Sequence, residues 1–276
     1  MKKMLFILLV LALLVSLPAC SRGEGGAAGF GAGGGQSLRE GSTAPLHSSI
    51  AQDQTYQQLL GLNILLYPPP IDDPKFESYG AAHWDLDATA FAQAMKGAFS
   101  GQMGADAVYE PQVEALKDDP LVAQVQEQIY NGEPVQVGWV YGNNSSLNYL
   151  EYNGQPVTLV TSEPVVIFVG DKANLDNTTW QYDTGKTSAF YVPANTVVTI
   201  NPEVLRSAPV RIANGTGQLT AIIAPEGVGV EAASPGSGMD QALVAKDRWV
   251  FAFPGIPGGF YEGLTGKNTA IEPVDR

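Results

Sequence analysis

The stretch Leu147–Gly170, LNYLEYNGQPVTLVTSEPVVIFVG, carries the residues best placed to do chemistry. Successive side chains of a strand point to opposite faces. Tyr149, Glu151 and Asn153 therefore share one face of YLEYN, and Leu150 and Tyr152 share the other. A carboxylate flanked by a phenol and an amide could ligate a metal or grip a polar ligand. Glu151 is the only strong metal ligand of the three, whereas a transition-metal site normally needs three or four protein ligands. The two histidines, His47 and His83, lie outside this region. Ser–His–Asp catalysis has no support, because no G-x-S-x-G occurs. Trp180, Trp249 and Tyr261 could stack on a sugar, although single aromatics in strand-rich chains more often belong to a core.

The elements that must hold these residues follow from pattern. In DPLVAQVQEQIYNG, Asp119 is placed to cap a helix with Pro120 in its first turn. Leu121, Val122, Val125 and Ile129 form its apolar face, and Gly132 stops it. Residues 87–98 form a weaker helix with Phe91, Ala94, Met95 and Ala98 on one side. After Gly132 the texture changes to nine strand-length runs: VQVGWVYG, SLNYLEY, PVTLVT, PVVIFVG, SAFYVP, TVVTINP, APVRIA, QLTAIIAP and RWVFAFP. Such spacing predicts a β-sandwich or barrel with helices packed outside. YGNNSSLN reads as the turn of a hairpin.

The N-terminal sequence MKKMLFILLVLALLVSLPAC has a basic start, an apolar run from Met4 to Val15 and an LPAC ending. It reads as a signal peptide over residues 1–19 rather than a membrane span. Leu17, Ala19 and Cys20 resemble the lipobox of bacterial lipoproteins. That resemblance implies cleavage before Cys20, palmitate-type acylation there, and a domain held outside the cytoplasm by lipid in a membrane. Cys20 is also the only cysteine, so the mature domain can form no internal disulfide and must rely on a packed core. Residues 20–55 are rich in Gly, Ser and Ala and read as a flexible tether. Lacking a preceding strand and a following Gly-Lys-Ser/Thr, they are not a phosphate loop. The net charge of −13 falls to −15 once Lys2 and Lys3 leave with the signal, which argues against nucleic acid as a partner.

Over residues 71–271 the chain resembles an uncharacterised bacterial family of cupin-like domains. The likeness is carried by DPKFESYG, PVQVGWVYGNNSSLNYLEYN, YDTGKTSAFYVPANTVVTI, LRSAPV and VAKDRWVFAF. It implies a cupin-like double-stranded β-helix (jelly-roll) barrel over residues 135–276, preceded by a helical lead-in over 56–134. Metal-binding cupins converge four side chains inside the barrel, and the corresponding places here are Glu151, Asn153, Val157 and Arg206. Asn is a weak neutral ligand, Val is none, and Arg cannot be deprotonated in a protein. The resemblance thus implies a degenerate metal site with no metal and no cofactor. In its place, Glu151 and Arg206 are expected to form an ion pair lined by Tyr149 and Asn153. Removing either charge alone is then expected to cost about 3–5 kcal/mol. The resulting expectation is a non-catalytic module that binds a sugar or small carboxylate. A sugar isomerase or lyase-type enzyme and a structural envelope protein with a filled barrel are the alternatives.

Overall fold

A computed structural model describes residues 50–275. The first helix, α1 (Gln54–Leu62), starts where the Asp53 carboxylate accepts the Tyr56 N–H at 3.0 Å. Ile50 is buried against it, so the last residues assigned to the tether pack with the fold. Next come α2 (Thr89–Ala98), burying Phe91, Ala92 and Met95, and α3 (Pro120–Gln128). As the sequence predicts, the Asp119 side chain accepts the Leu121 N–H at 2.9 Å, and Gly132 takes the left-handed conformation just past the helix.

The lead-in is not purely helical. It contributes β1 (Gly80–Ala82) and β2 (Val108–Glu110), three-residue strands too short to show a period in the sequence. Then follow β3 (Val135–Gly142), β4 (Tyr149–Asn153), β5 (Val157–Thr161), β6 (Val165–Asp171), β7 (Tyr182–Asp183), β8 (Ser188–Val192), β9 (Val197–Ile200), β10 (Val204–Arg206), β11 (Val210–Arg211), β12 (Gln218–Pro225), β13 (Leu243–Ala245), β14 (Arg248–Ala252) and β15 (Leu264–Thr265). Each of the nine runs read from the sequence overlaps one of these strands.

Of the two large sheets, one has the order β1-β9-β5-β12-β3-β2 and the other β11-β6-β10-β4-β14-β13, with β8 also paired to β6; β15 and β7 form a separate two-stranded sheet. Within them, β3-β12-β5-β9 faces β4-β10-β6-β8. The consecutive strands β3, β4, β5 and β6 alternate between sheets, and every pairing in these eight is antiparallel. That interleaving defines a double-stranded β-helix, a jelly roll. The fold is mainly β, with the helices N-terminal to the barrel. It also corrects one expectation: residues 141–148 do not close a hairpin but carry the chain from one sheet to the other. A Gly-Asn turn specifies a change of direction, not which strand receives the chain afterwards.

Three apolar layers result. Between the sheets lie Tyr149, Val157, Leu159, Ile167, Ile222 and Val250, among others. The outer face of the six-stranded sheet, including Val137, Trp139 and Ile223, is covered by α2 and α3. The outer face of the seven-stranded sheet, including Leu150, Tyr152 and Phe168, is covered by α1 and the segment around Ile271–Val274. A strand clad on both faces reads as a continuous apolar run, as VVIFVG in β6 does.

Candidate functional site

Alternation along β4 places Tyr149, Glu151 and Asn153 inside the barrel, with Leu150 and Tyr152 in the outer layer. On one side β10 runs antiparallel with Arg206 directly opposite Glu151. On the other, β14 sets Val250 opposite Glu151 and Arg248 opposite Asn153. Arg248 is therefore a diagonal neighbour of Glu151, a distance that a long side chain spans.

The three charges meet. Glu151 Oε1 is ion-paired with Arg206 Nη1, and Arg248 Nε donates to Glu151 Oε2 at 2.7 Å. The side chains of Glu151, Arg206 and Arg248 are 3%, 2% and 10% exposed. Arg206 Nη2 reaches Asn153 Oδ1 at 3.5 Å, and Asn153 Nδ2 donates to the Asp247 carbonyl at 3.1 Å. The Arg248 guanidinium lies 4.2 Å from the Tyr109 ring centroid, a cation–π contact. Arg206 Nε, also buried, has no hydrogen-bond partner among the described residues.

Electrostatics follow from this geometry. Burial by itself raises the pKa of Glu151, but the two guanidiniums outweigh it and hold the carboxyl below its ordinary value. Burial, reinforced by Glu151, pushes the Tyr149 phenol far up. Burial similarly takes Tyr130, which lies within the field of Arg206, up to about 12. The cluster is thus one carboxylate held by two cations, a buried net charge of +1.

Near this group a cleft of about 510 Å³ opens between Tyr130, Gln155, Glu226, Val228 and Asp247. Because the Asp247 carbonyl holds the Asn153 amide, Asn153 links the cleft to Arg206.

All four residues read from the sequence, Tyr149, Glu151, Asn153 and Arg206, lie on the inner wall, and Val157 shares the interior layer. The expected pair, however, is a trio. Arg248 was legible as the one charge in RWVFAF, in phase with the inward Val250 and Ala252, but nothing local tied it to Glu151. Tyr109 sits on a strand that the sequence did not reveal. His83 lies elsewhere, its Nε2 2.9 Å from Thr199 Oγ1. Trp249 and Tyr261 pack on the outer layer, against Tyr152 and Phe251, so they do not line the barrel. Cys20 and His47 fall outside the described residues. No three His, Cys, Asp or Glu side chains converge among the described residues. The donors around Glu151 are guanidiniums and an amide, a set that does not fit a transition metal.

Many solved structures are distantly similar to this chain, among them the following three. HygX from Streptomyces hygroscopicus with iron bound is 11% identical, with 55% of this chain and 84% of that one covered, at a TM-score of 0.37. The non-heme alpha ketoglutarate dependent epimerase SnoN from nogalamycin biosynthesis is 13% identical, with 69% and 95% covered, at 0.31. Vicilin from Corylus avellana (hazelnut) is 10% identical, with 56% and 33% covered, at 0.28. The fold assignment rests on the strand order itself. No curated protein matches the sequence. A family profile does match, over residues 69–269, and the chain belongs to that family, described as Domain of unknown function (DUF4867).

Proposed function

We propose that the protein is an extracytoplasmic binding module, tethered to a membrane by lipid on Cys20, whose barrel takes a small, singly charged carboxylate. The observation that carries the ligand is the charge imbalance: two buried guanidiniums share one carboxylate, and Arg206 Nε is unpartnered among the described residues. An uncompensated charge in such a place costs several kcal/mol, on the order of the penalty for any buried ion. A ligand carboxylate removes that cost, and its two oxygens match the planar fork of a guanidinium. Asn153 holds Arg206 at 3.5 Å, the outer limit of a hydrogen bond, so an incoming oxygen displaces it easily. Glu133, Glu226 and Asp247 line the cleft and disfavour polyanions, which leaves monocarboxylates, sugar acids included.

Two features support binding without catalysis. Both Glu151 oxygens are engaged and its proton affinity is depressed, while the Tyr149 phenol is shifted far upward. Neither group exchanges protons near neutral pH, as general acid–base catalysis requires.

Thermal unfolding of the full chain with acetate, glycolate or gluconate, and with glucose as the neutral control, tests the reading. Saturable stabilisation by a carboxylate, lost in Arg206→Met, is the expected result. A response to glucose alone points to a neutral sugar, and no response to any compound means a filled, structural barrel. The anchor is tested separately by labelling with a fatty-acid precursor. Label in the wild type and none in Cys20→Ala is expected, and equal label in both overturns the lipid assignment.

A further inference from the structure

Four large apolar side chains stand in solvent within the six residues from Leu62, the last of α1, to Tyr67. Leu62 is 52% exposed, Ile64 73%, Tyr67 61%, and Leu65 is completely exposed. Only one other large apolar side chain among the described residues, Val108, is comparably exposed. Single exposed apolar residues are ordinary, but a contiguous group marks a surface that meets something apolar.

The turn that presents them is braced. Asn63 Nδ2 donates to the carbonyls of Leu59 and Glu272, both at 2.9 Å, and its Oδ1 accepts the Glu272 N–H at 2.9 Å. The Asn63 carbonyl accepts the N–H groups of Leu66 at 3.0 Å and Tyr67 at 2.8 Å. Leu66 turns inward onto the core below the seven-stranded sheet. Tyr67 takes a φ of 39°, rare for a residue with a side chain. Immediately beyond, the Tyr56 hydroxyl donates to the Pro68 carbonyl at 3.1 Å, and the Tyr191 N–H to the Pro69 carbonyl at 2.8 Å. The fold thus buries Asn63, half-buries Leu66 and holds Leu62, Ile64, Leu65 and Tyr67 outward. A slack loop would fold these side chains back, because each Å² of apolar surface removed from water is worth about 25 cal/mol.

We infer that this turn inserts into the interface of a lipid bilayer, as a second membrane contact beside the N-terminal anchor. The inference rests on the tethered reading given above, and position argues for it. In that reading the mature chain starts at the acylated Cys20 and joins the described fold at Ile50. Ile50 packs in the same layer as Leu59 and Leu60 of α1. Nine helical residues, about 14 Å, carry the chain from there to the apolar turn. Anything that holds the N-terminal part at a membrane therefore keeps this turn nearby at high effective concentration.

Charge narrows the lipid. Residues 50–71 contain no Lys or Arg, and Asp72, Asp73, Glu272 and Asp275 are close in sequence to the turn or to the strap that braces it. Attraction to anionic headgroups therefore contributes nothing, and insertion depends on apolar burial alone. A zwitterionic bilayer suffices, and an anionic one is worse.

The test uses the full mature chain in phosphatidylcholine vesicles, carrying Leu65→Cys labelled with an environment-sensitive fluorophore. Lys117→Cys, exposed beside the layer that covers the other sheet, is the control. Acylated Cys20 does not take the dye, so two dyes per chain would report failure of the anchor without touching the turn. The expected result is a blue-shifted emission at position 65 but not at 117. That emission should be quenched by nitroxide-labelled lipid and weaken as phosphatidylglycerol replaces phosphatidylcholine. Identical aqueous emission at both positions overturns the inference. So does a shift at 65 that follows the protein-to-lipid ratio, because the turn would then be meeting a second copy.

Discussion

Replacing Glu151 with Gln keeps the shape of the side chain and removes its charge, leaving Arg206 and Arg248 buried without a counter-ion. Breaking a buried ion pair by removing one partner costs about 3–5 kcal/mol. For a domain of this length each kcal/mol moves Tm by about 2–4 °C, which predicts a fall of about 6–20 °C. Arg206→Met is different. It removes the surplus charge, leaves Glu151 paired with Arg248, and fills much of the same volume, so its cost should stay within about 1.5 kcal/mol. A symmetric pair, as expected from the sequence, would instead penalise both replacements equally. Urea unfolding of the two single variants and the double, read as a double-mutant cycle, distinguishes the cases. Equal losses in the two single variants would refute the trio as the energetic unit. Because the folded pKa of Glu151 lies below its unfolded value, its contribution is complete above the unfolded value. That contribution is lost as pH falls through the folded one, and Glu151→Gln should lack this acid-dependent part.

Two further outcomes are expected. His83 has its pKa lowered, mainly by burial and against the pull of Asp85, so the unfolded state takes up a proton first. Its contribution to stability falls as pH drops below about 6.5, and His83→Gln, compared with wild type from pH 7 to 5 by urea midpoints, should flatten that part of the slope. Gly170 lies against Tyr182, where an added Cβ would sit 2.1 Å from the hydroxyl oxygen and 2.8 Å from the ring carbon that carries it. Tyr182 is wholly buried, so Gly170→Ala should cost about 1–3 kcal/mol in the same assay, and a neutral result would show that the ring moves freely.

Much of this protein was legible in its sequence, wherever the information is local. Asp119, Pro120 and Gly132 bound α3 because capping and left-handed backbone are properties of a few adjacent residues. The two-residue period of YLEYN put Tyr149, Glu151 and Asn153 on one wall, and likeness to cupin-like domains placed Arg206 among them. What stayed hidden depends on which strands become neighbours. Residues 141–148 cross between sheets, and β1 and β2 extend an edge with only three residues each, too few for any period to register. Arg248 stands 97 residues from Glu151, and its alternation with Val250 and Ala252 says only that it points inward. The Greek-key order that sets β14 beside β4 makes it the second cation on that carboxylate and turns a neutral pair into a cluster with charge to spare. Alternation along a strand determines which face a side chain occupies; the order of strands, built from long-range burial, decides whose side chain it meets.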